Sequence, residues 1–355
     1  MSQSKELPFW LTSEKKNYSL DKLKSLQFPP VKAEIKTTFL PLLSSTVIIP
    51  SSSFFDLSFL PSKTTIEELR VVLSTKPSET VVWLEGLGSF SQISLSHLLC
   101  LHAFNEELSL ILKSLSWFST VGKVMPNISS TIIDKLNSSP FDYVSDVEKS
   151  VRWFDLCRFC NENWVSSVLI EDLLNRFKEC WGIGKFVFLD DGFTSLILNS
   201  CFKNIFNIDI SCVEKIFLFY NIRETHWGLF LVDLIEKKVS FGDSLNWKDS
   251  ALQHLPSILL FLNNAFNIDT LNWSKELHCI PNYPFQPPSS GSCGIVALSM
   301  IENIVRNDFD IYWSHDRAIN FRLKYCAMIV DPTNKSYHDH VKNTLFHFVQ
   351  QFIYL

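Results

Sequence analysis

The stretch FQPPSSGSCGIVALSMI, residues 285–301, places a cysteine where a turn of small residues opens into an apolar helix. Serine and glycine at 289–292 favour the turn, and the apolar residues after Gly294 recur at helical spacing. A helix begins with free backbone N–H groups and the positive end of its dipole, and both stabilise a thiolate. The same N–H groups can hold the oxyanion that forms when a carbonyl is attacked. The stretch therefore predicts Cys293 as a nucleophile, provided that a base lies nearby.

A histidine and an aspartate earlier in the chain are predicted to lie side by side. His226 begins the strand-like run HWGLFLVDL, and Asp243 ends the next run, KVSFGD. Residues 235–238 between the runs predict a hairpin, whose antiparallel strands bring the start of one beside the end of the other. Taken singly, such a histidine or aspartate is usually structural. Together with a thiol at a helix start, they predict a Cys/His/Asp catalytic set.

Three segments, THWGLFLVDL (225–234), VSFGDSL (239–245) and QPPSSGSCGIVAL (286–298), resemble the motifs of the Ulp1/SENP ubiquitin-like-protein proteases, which are papain-like cysteine peptidases. The order His, Asp, Gln, Cys is the same, and the resemblance covers about residues 159–330. It implies an α+β fold in which a central mixed or antiparallel sheet is flanked by helices. Helical runs on both sides of a block of strand-like runs favour the same class.

The resemblance also assigns roles to four residues. It implies Cys293 as the nucleophile, His226 as the general base and acid, and Asp243 as the residue that orients the imidazole. Gln286 is implied as the oxyanion-hole donor, because its amide N–H groups can bind the tetrahedral intermediate.

The sequence departs from the family pattern at two positions. The family glutamine usually lies six residues before the cysteine, whereas Gln286 lies one residue further away and Pro287 takes the usual place. The residue just before the cysteine is commonly Asp in the family and is Ser292 here. We expect a one-residue expansion of the loop to restore the geometry at Gln286.

Two tryptophans are implied to clamp the substrate. By resemblance, Trp227, next to His226, and Trp164 enclose the narrow Gly-Gly tail of a ubiquitin-like modifier. Flat aromatic walls leave room only for a residue without a Cβ, which gives a physical reason for cleavage after diglycine. Trp164 opens the predicted amphipathic helix ENWVSSVLIEDLLNRFKECW, so it has an alternative interpretation as that helix's core anchor.

The function implied is that of a cysteine protease, an isopeptidase that hydrolyses the bond after the C-terminal Gly-Gly of a ubiquitin-like protein. SUMO is the family's default modifier, so SUMO and its conjugates are the expected partners, and no metal or organic cofactor is expected. Two alternatives stay open. One is a catalytically silent module that binds a ubiquitin-like protein, and the other is a protease derived from a mobile element that acts on a substrate other than SUMO.

Composition limits the remaining possibilities. A net charge of −5 over 355 residues gives no basic surface, so nucleic acid is not an expected partner. The N-terminus has no apolar signal-like region and no run reaches membrane-spanning length, so no membrane association is expected. Nine scattered cysteines favour free thiols in a reducing compartment, the nucleus or cytoplasm. The pair Cys157 and Cys160 is interpreted as core, and His338 and His340 as a solvated turn, rather than as metal ligands. The acidic pair at 190–191 is interpreted as a loop.

Two regions are predicted, and a monomer is expected. Residues 1–145 form an N-terminal region of mixed helices and short strands, whose role the sequence does not indicate. Residues 146–355 form the protease domain, with its core at about 159–330.

Overall fold

The computed structural model describes residues 8–43, 45–145, 149–181, 184–200, 211–307 and 312–332. His338 and His340 lie outside these ranges. By its contacts, the chain divides into two compact units. The first comprises the chain up to Ser119 with Thr131–Asp142 and Arg152–Phe154, and the second comprises Thr120–Ser130, Tyr143–Val151 and the chain from Asp155 onward.

The first unit combines short strands with helices, as the sequence predicts for this region. A three-stranded antiparallel sheet has the order β2-β4-β5, and β1 pairs with β3 in parallel. Apolar side chains such as Leu20, Phe54 and Phe90 are fully buried in its core. The strands are β1 Val31–Lys32, β2 Thr37–Pro41, β3 Leu60–Pro61, β4 Thr80–Leu84 and β5 Gly88–Phe90. The helices that lie wholly or partly in this unit are α1 Leu20–Lys24, α2 Lys63–Ser74, α3 Gln92–Val121 and α4 Pro126–Ser138.

The second unit is built on a mixed five-stranded sheet. Its order is β10-β9-β8-β7-β6, in which the two outer pairs are parallel and the inner pairs antiparallel. All eight residues of the central strand β8 are buried, which its nearly continuous apolar run requires. The hairpin predicted between β8 and β9 is confirmed. The strands are β6 Phe186–Leu189, β7 Lys215–Ile222, β8 His226–Asp233, β9 Lys238–Asp243 and β10 His278–Cys279.

Helices cover both faces of this sheet, which confirms the α+β class and the flanked central sheet. On one face, α6 and α8 bury apolar residues against alternate positions of β6 to β9. On the other, α9 packs on β8 and β9, and α5 packs on β6 and on α10. The helices of this unit are α5 Ser167–Trp181, α6 Asp191–Leu198, α7 Lys248–Leu252, α8 Leu255–Phe266, α9 Cys293–Arg306 and α10 Ala318–Val330.

Two local predictions are wrong. Trp164 does not open the amphipathic helix, because α5 begins at Ser167. The chain ahead of α5 is held in a turn by Asn163, whose side-chain amide donates to the carbonyl of Cys160 at 2.7 Å. The acidic pair at 190–191, interpreted as a loop, instead starts α6, because the Asp190 carboxylate caps the helix by accepting from Phe193 N at 3.1 Å.

None of the helices in the described ranges combines the length and the apolar character needed to cross a membrane.

Candidate active site

Cys293 is the first residue of α9, as predicted. Its side chain is buried, with 2% of the residue exposed. The helix start lies close against β8 at Gly294, where a Cβ would be 3.1 Å from Trp227 Cδ1 and 3.2 Å from Ile170 Cδ1. Glycine therefore permits the close approach that brings the first turn of α9 to the strand of His226.

The hairpin brings His226 and Asp243 together. Asp243 pairs with Gly228 across the two strands, so it lies diagonally opposite His226 on the same side of the sheet. His226 Nε2 donates to Asp243 Oδ1 at 3.1 Å, and both residues are buried. The carboxylate is itself held by two backbone donors, Leu245 N at 2.8 Å and Trp247 N at 2.7 Å. The imidazole is therefore fixed by a carboxylate that cannot rotate freely.

Cys293 also acts on the charge of His226. Burial acts to lower the pKa of the imidazole, but hydrogen bonds to Asp243 and Cys293, together with their negative charges, raise it to about 9. Because Nε2 is engaged by Asp243, Nδ1 is the ring nitrogen left for the sulfur. At neutral pH this histidine is an imidazolium between a carboxylate and a sulfur, which is the arrangement that activates a cysteine for nucleophilic attack.

Gln286 lies buried in the loop before α9, but its amide is turned to its own loop. Its Nε2 donates to the carbonyl of Ser290 at 2.8 Å, and its backbone N donates to the carbonyl of Ser244 at 3.1 Å. Its Oε1 is buried with no hydrogen-bond partner among the described residues. One of the two amide N–H groups is thus already in use, and the other can still serve an oxyanion.

The two predicted substrate tryptophans are stacked on each other. Their ring centroids are 5.2 Å apart and their planes differ by 9°. Trp227 is fully buried and donates from Nε1 to the carbonyl of Val165 at 2.8 Å, whereas Trp164 is half-buried. A peptide can therefore pass between the two rings only if they separate, and Trp164 is the more exposed of the two.

A cavity of about 650 Å³ opens beside Trp227. Apolar side chains of Ile170, Phe193 and Leu196 line it. Its polar side is formed by Glu171 and the acidic pair at 190–191. The pKa of Asp191 is raised, mainly because the carboxyl is desolvated by burial. The cavity thus combines an apolar wall with acidic groups.

Further residues at the site were missed by the sequence reasoning. The ring of Trp247 covers that of His226, with centroids 4.9 Å apart. The Tyr283 hydroxyl is buried, and the nearby negative charges of Asp243 and Cys293 add to the burial that raises its pKa. Both side chains reach the site because of how their loops fold, so no spacing in the sequence indicated them.

Within the described ranges, no group of three or more His, Cys, Asp or Glu side chains is arranged to hold a metal ion.

Comparisons with known proteins give likenesses of structure only. No protein-family profile matches the chain, and no curated protein matches it in sequence. The C-terminal Ulp1 protease domain in complex with Smt3, the yeast ortholog of SUMO, is 17% identical, with a TM-score of 0.49 over 57% of this chain and 94% of that domain. The catalytic domain of the Chaetomium thermophilum Ulp1-like SUMO protease is 13% identical, with a TM-score of 0.46 over 58% and 88%. The Xanthomonas campestris effector XopD, solved bound to ubiquitin, is 15% identical, with a TM-score of 0.33 over 46% and 92%. The first two are Ulp1-type proteases, the family that the sequence motifs resemble.

Proposed function

We propose that the second unit is a cysteine peptidase that hydrolyses the peptide or isopeptide bond after the C-terminal Gly-Gly of a ubiquitin-like protein, with SUMO as the first candidate. The observation that carries the proposal is the position of His226. Its imidazole is hydrogen-bonded to the buried Asp243 carboxylate, and Cys293, at the start of α9, lies close enough to help raise the pKa of that imidazole. His226 thereby stands between the orienting carboxylate and the nucleophile, as a general base must.

The chemistry follows from this arrangement. The sulfur of Cys293 attacks the carbonyl carbon, and the backbone N–H groups at the start of α9, with the remaining amide N–H of Gln286, bind the oxyanion. The His226 imidazolium gives its proton to the leaving amine as the C–N bond breaks, leaving a thioester. His226 then takes a proton from water, whose oxygen displaces the sulfur and releases the carboxylate.

The shape of the site supports a narrow substrate tail. The cavity is partly apolar, and Trp227, which lines it, is stacked on Trp164 and lies next to His226 in the chain. A residue without a side chain needs the least separation of those rings, so diglycine is the tail that passes most easily. The acidic groups of the cavity suit polar or basic residues ahead of the diglycine.

Cleavage of precursors tests the proposal. SUMO, NEDD8 and ubiquitin, each carrying a C-terminal extension after Gly-Gly, are incubated with the wild-type chain and with Cys293→Ala. We expect the wild type to cut at least one precursor after Gly-Gly and Cys293→Ala to cut none. Cys279→Ala, which removes an exposed thiol, is the matched control and should cut at the wild-type rate. Failure of the wild type on all three precursors would contradict the assigned substrate class.

A specific observation favours a second candidate function, a silent module that binds a ubiquitin-like protein. The amide of Gln286 is bonded to Ser290 in its own loop, so the oxyanion hole of this structure lacks a fully dedicated side-chain donor. In that case the three precursors would bind, and none would be cut. Binding measured by calorimetry with Cys293→Ala, alongside the cleavage assay, separates the two functions.

A further inference from the structure

A buried cation ties the start of α9 to the chain ahead of α5. Arg322, in α10, is fully buried, and its Nη2 donates to Ser292 Oγ at 3.1 Å. Its Nη1 donates to the backbone carbonyls of Arg158 and Asn163 at 3.3 and 3.0 Å. One guanidinium therefore fixes Ser292, the residue immediately before Cys293, relative to the segment that contains Glu162. Glu162 lies 130 residues before Ser292 in the chain.

The same serine also meets a carboxylate. Ser292 Oγ donates to Glu162 Oε2 at 3.1 Å, and Ser290 Oγ donates to the same oxygen. The backbone N–H of Gly291 donates to the carbonyl of Glu162 at 3.1 Å. The Ser292 hydroxyl thus accepts a hydrogen bond from a cation and donates one to an anion, and both bonds are of the strong, charge-assisted kind.

The turn carrying these groups has no room to shift. A Cβ at Gly291 would lie 2.2 Å from the carbonyl oxygen of Glu162 and 2.7 Å from the carbonyl carbon of Asn163. Backbone therefore lies directly on backbone at this point. The network holds the turn from both sides, with Glu162 at the exposed end and Arg322 at the buried end.

The cation also lies within electrostatic reach of the nucleophile. Burial lowers the pKa of Arg322, and the negative charges of Glu162, Cys160 and Cys293 act against that lowering. The guanidinium and the sulfur of Cys293 therefore interact electrostatically. A buried charge is costly unless it is well paired, and in this network the Ser292 hydroxyl links the guanidinium to the Glu162 carboxylate.

We propose that Arg322, acting through the Ser292 hydroxyl with Glu162 as counter-charge, is a positioning residue for Cys293. The inference rests on the proposed function, because it takes Cys293 as the nucleophile. Fixing Ser292 fixes the first turn of α9, and with it the sulfur and the N–H groups that receive the oxyanion. Loss of the network therefore slows the chemical step and leaves substrate binding unchanged.

The geometry further indicates that a carboxylate at position 292 can replace the Ser292–Glu162 pair. Such a carboxylate would accept a hydrogen bond directly from Arg322. It would also supply the negative charge that Glu162 now provides. With Glu162 still in place, however, two carboxylates would face each other and repel. The two substitutions should therefore be strongly non-additive, as is expected for groups in one network.

The test measures alkylation of Cys293 by iodoacetamide at pH 7 in the full chain, followed by peptide mass spectrometry, because this readout needs no protein substrate. Ser292→Ala, Glu162→Ala and Ser292→Asp should each slow alkylation about tenfold, the effect of losing one charge-assisted hydrogen bond. The double variant Ser292→Asp/Glu162→Ala should return to within about threefold of the wild type. With a precursor that the wild type cuts, the three single variants should have a lower kcat and an unchanged KM.

Ser289→Ala is the matched control, because Ser289 is exposed in the same loop, and it should alkylate at the wild-type rate. Exposed Cys279 serves as the internal reference for reagent access. Wild-type alkylation in Ser292→Ala and Glu162→Ala, or a double variant no faster than either single variant, would overturn the proposal. If the alkylation rates follow the predicted pattern but the wild-type chain cuts no precursor, the positioning role of Arg322 is supported and the proposed function is contradicted.

Discussion

At the residue scale, the site depends on the charge of one buried imidazole. Burial alone would keep His226 neutral, yet its hydrogen bond to Asp243 and its interaction with Cys293 raise its pKa to about 9. A pKa raised above the unfolded value means that the protonated histidine stabilises the fold. That contribution is complete below the unfolded pKa near 6.5 and is lost as the pH rises through about 9.

Replacing the orienting carboxylate should change the pH dependence. Asp243→Asn keeps the size of the side chain but removes the negative charge that favours the imidazolium, so the pKa of His226 falls. We expect the alkaline limb of kcat/KM for precursor cleavage to move to lower pH and the maximal rate to drop by about 10²-fold or more. The pH–rate profile of wild type and variant measures this effect, and an alkaline limb at the same pH in both would contradict it.

Positions and contacts of single residues could be predicted from the sequence where a regular helix or hairpin determines them. The Cys293 position follows from the helix start, and the His226–Asp243 contact follows from hairpin register. Sequence reasoning could not find Trp247 over the imidazole or the Glu162–Arg322 network, because those contacts depend on how loops fold and on residues far apart in the chain.

At the element scale, α9 and α10 are joined by a buried polar cluster. Lys324 Nζ donates to both carboxylate oxygens of Glu302, at 2.6 and 2.7 Å, and the Tyr325 hydroxyl donates to Oε2 at 2.8 Å. All three residues are buried. An ion pair in such surroundings contributes little net stability by itself, but either charge left alone is costly.

This cluster gives a stability prediction. Glu302→Leu leaves the ammonium of Lys324 buried without its partner and should lower the free energy of unfolding by about 3–5 kcal/mol. The double variant Glu302→Leu/Lys324→Met should regain most of that loss, because both buried charges are gone. Urea unfolding followed by tryptophan fluorescence measures the difference. A double variant that is no more stable than Glu302→Leu would contradict the account.

The strand that ends in Asp243 gives a packing prediction. A Cβ at Gly242 would lie 2.1 Å from Tyr283 Cδ2, so Gly242→Ala must displace a buried aromatic ring beside the site. We expect a loss of about 1–3 kcal/mol of stability, measured by the same unfolding experiment. Gly192→Ala is the matched control, since its Cβ would meet only the Asp190 carboxylate, at 3.2 Å. Equal stability of the two variants would contradict the prediction.

Strands were easier to predict from the sequence than helix ends. The strands β6, β7 and β8 have apolar runs in their interiors, which are typical of buried strands. The strand β9 follows β8 after a short polar turn, which predicts a hairpin. The start of α5 was misplaced because side-chain bonds of Asn163 and the contact of Trp227 with Val165 hold the preceding residues out of the helix. The short helix α6 was missed, although Asp190 ahead of its apolar run is a capping signal.

At the scale of the whole molecule, all candidate site residues belong to the second unit. The division at residue 145 and the role of the N-terminal region stay predictions. The account requires only that the second unit present one reactive sulfur to a narrow tail. Among the eight cysteines in the described ranges, Cys293 is the one that acts on the pKa of a histidine bonded to a carboxylate.

The most direct measurement is labelling of the full chain with a SUMO whose C-terminal glycine carries a thiol-reactive electrophile, followed by intact mass and peptide mapping. We predict a single adduct, on Cys293, that is absent in Cys293→Ala and forms much more slowly in His226→Ala. The other eight cysteines act as internal controls. No adduct with SUMO, NEDD8 or ubiquitin probes, or an adduct that persists in Cys293→Ala, would contradict the central claim.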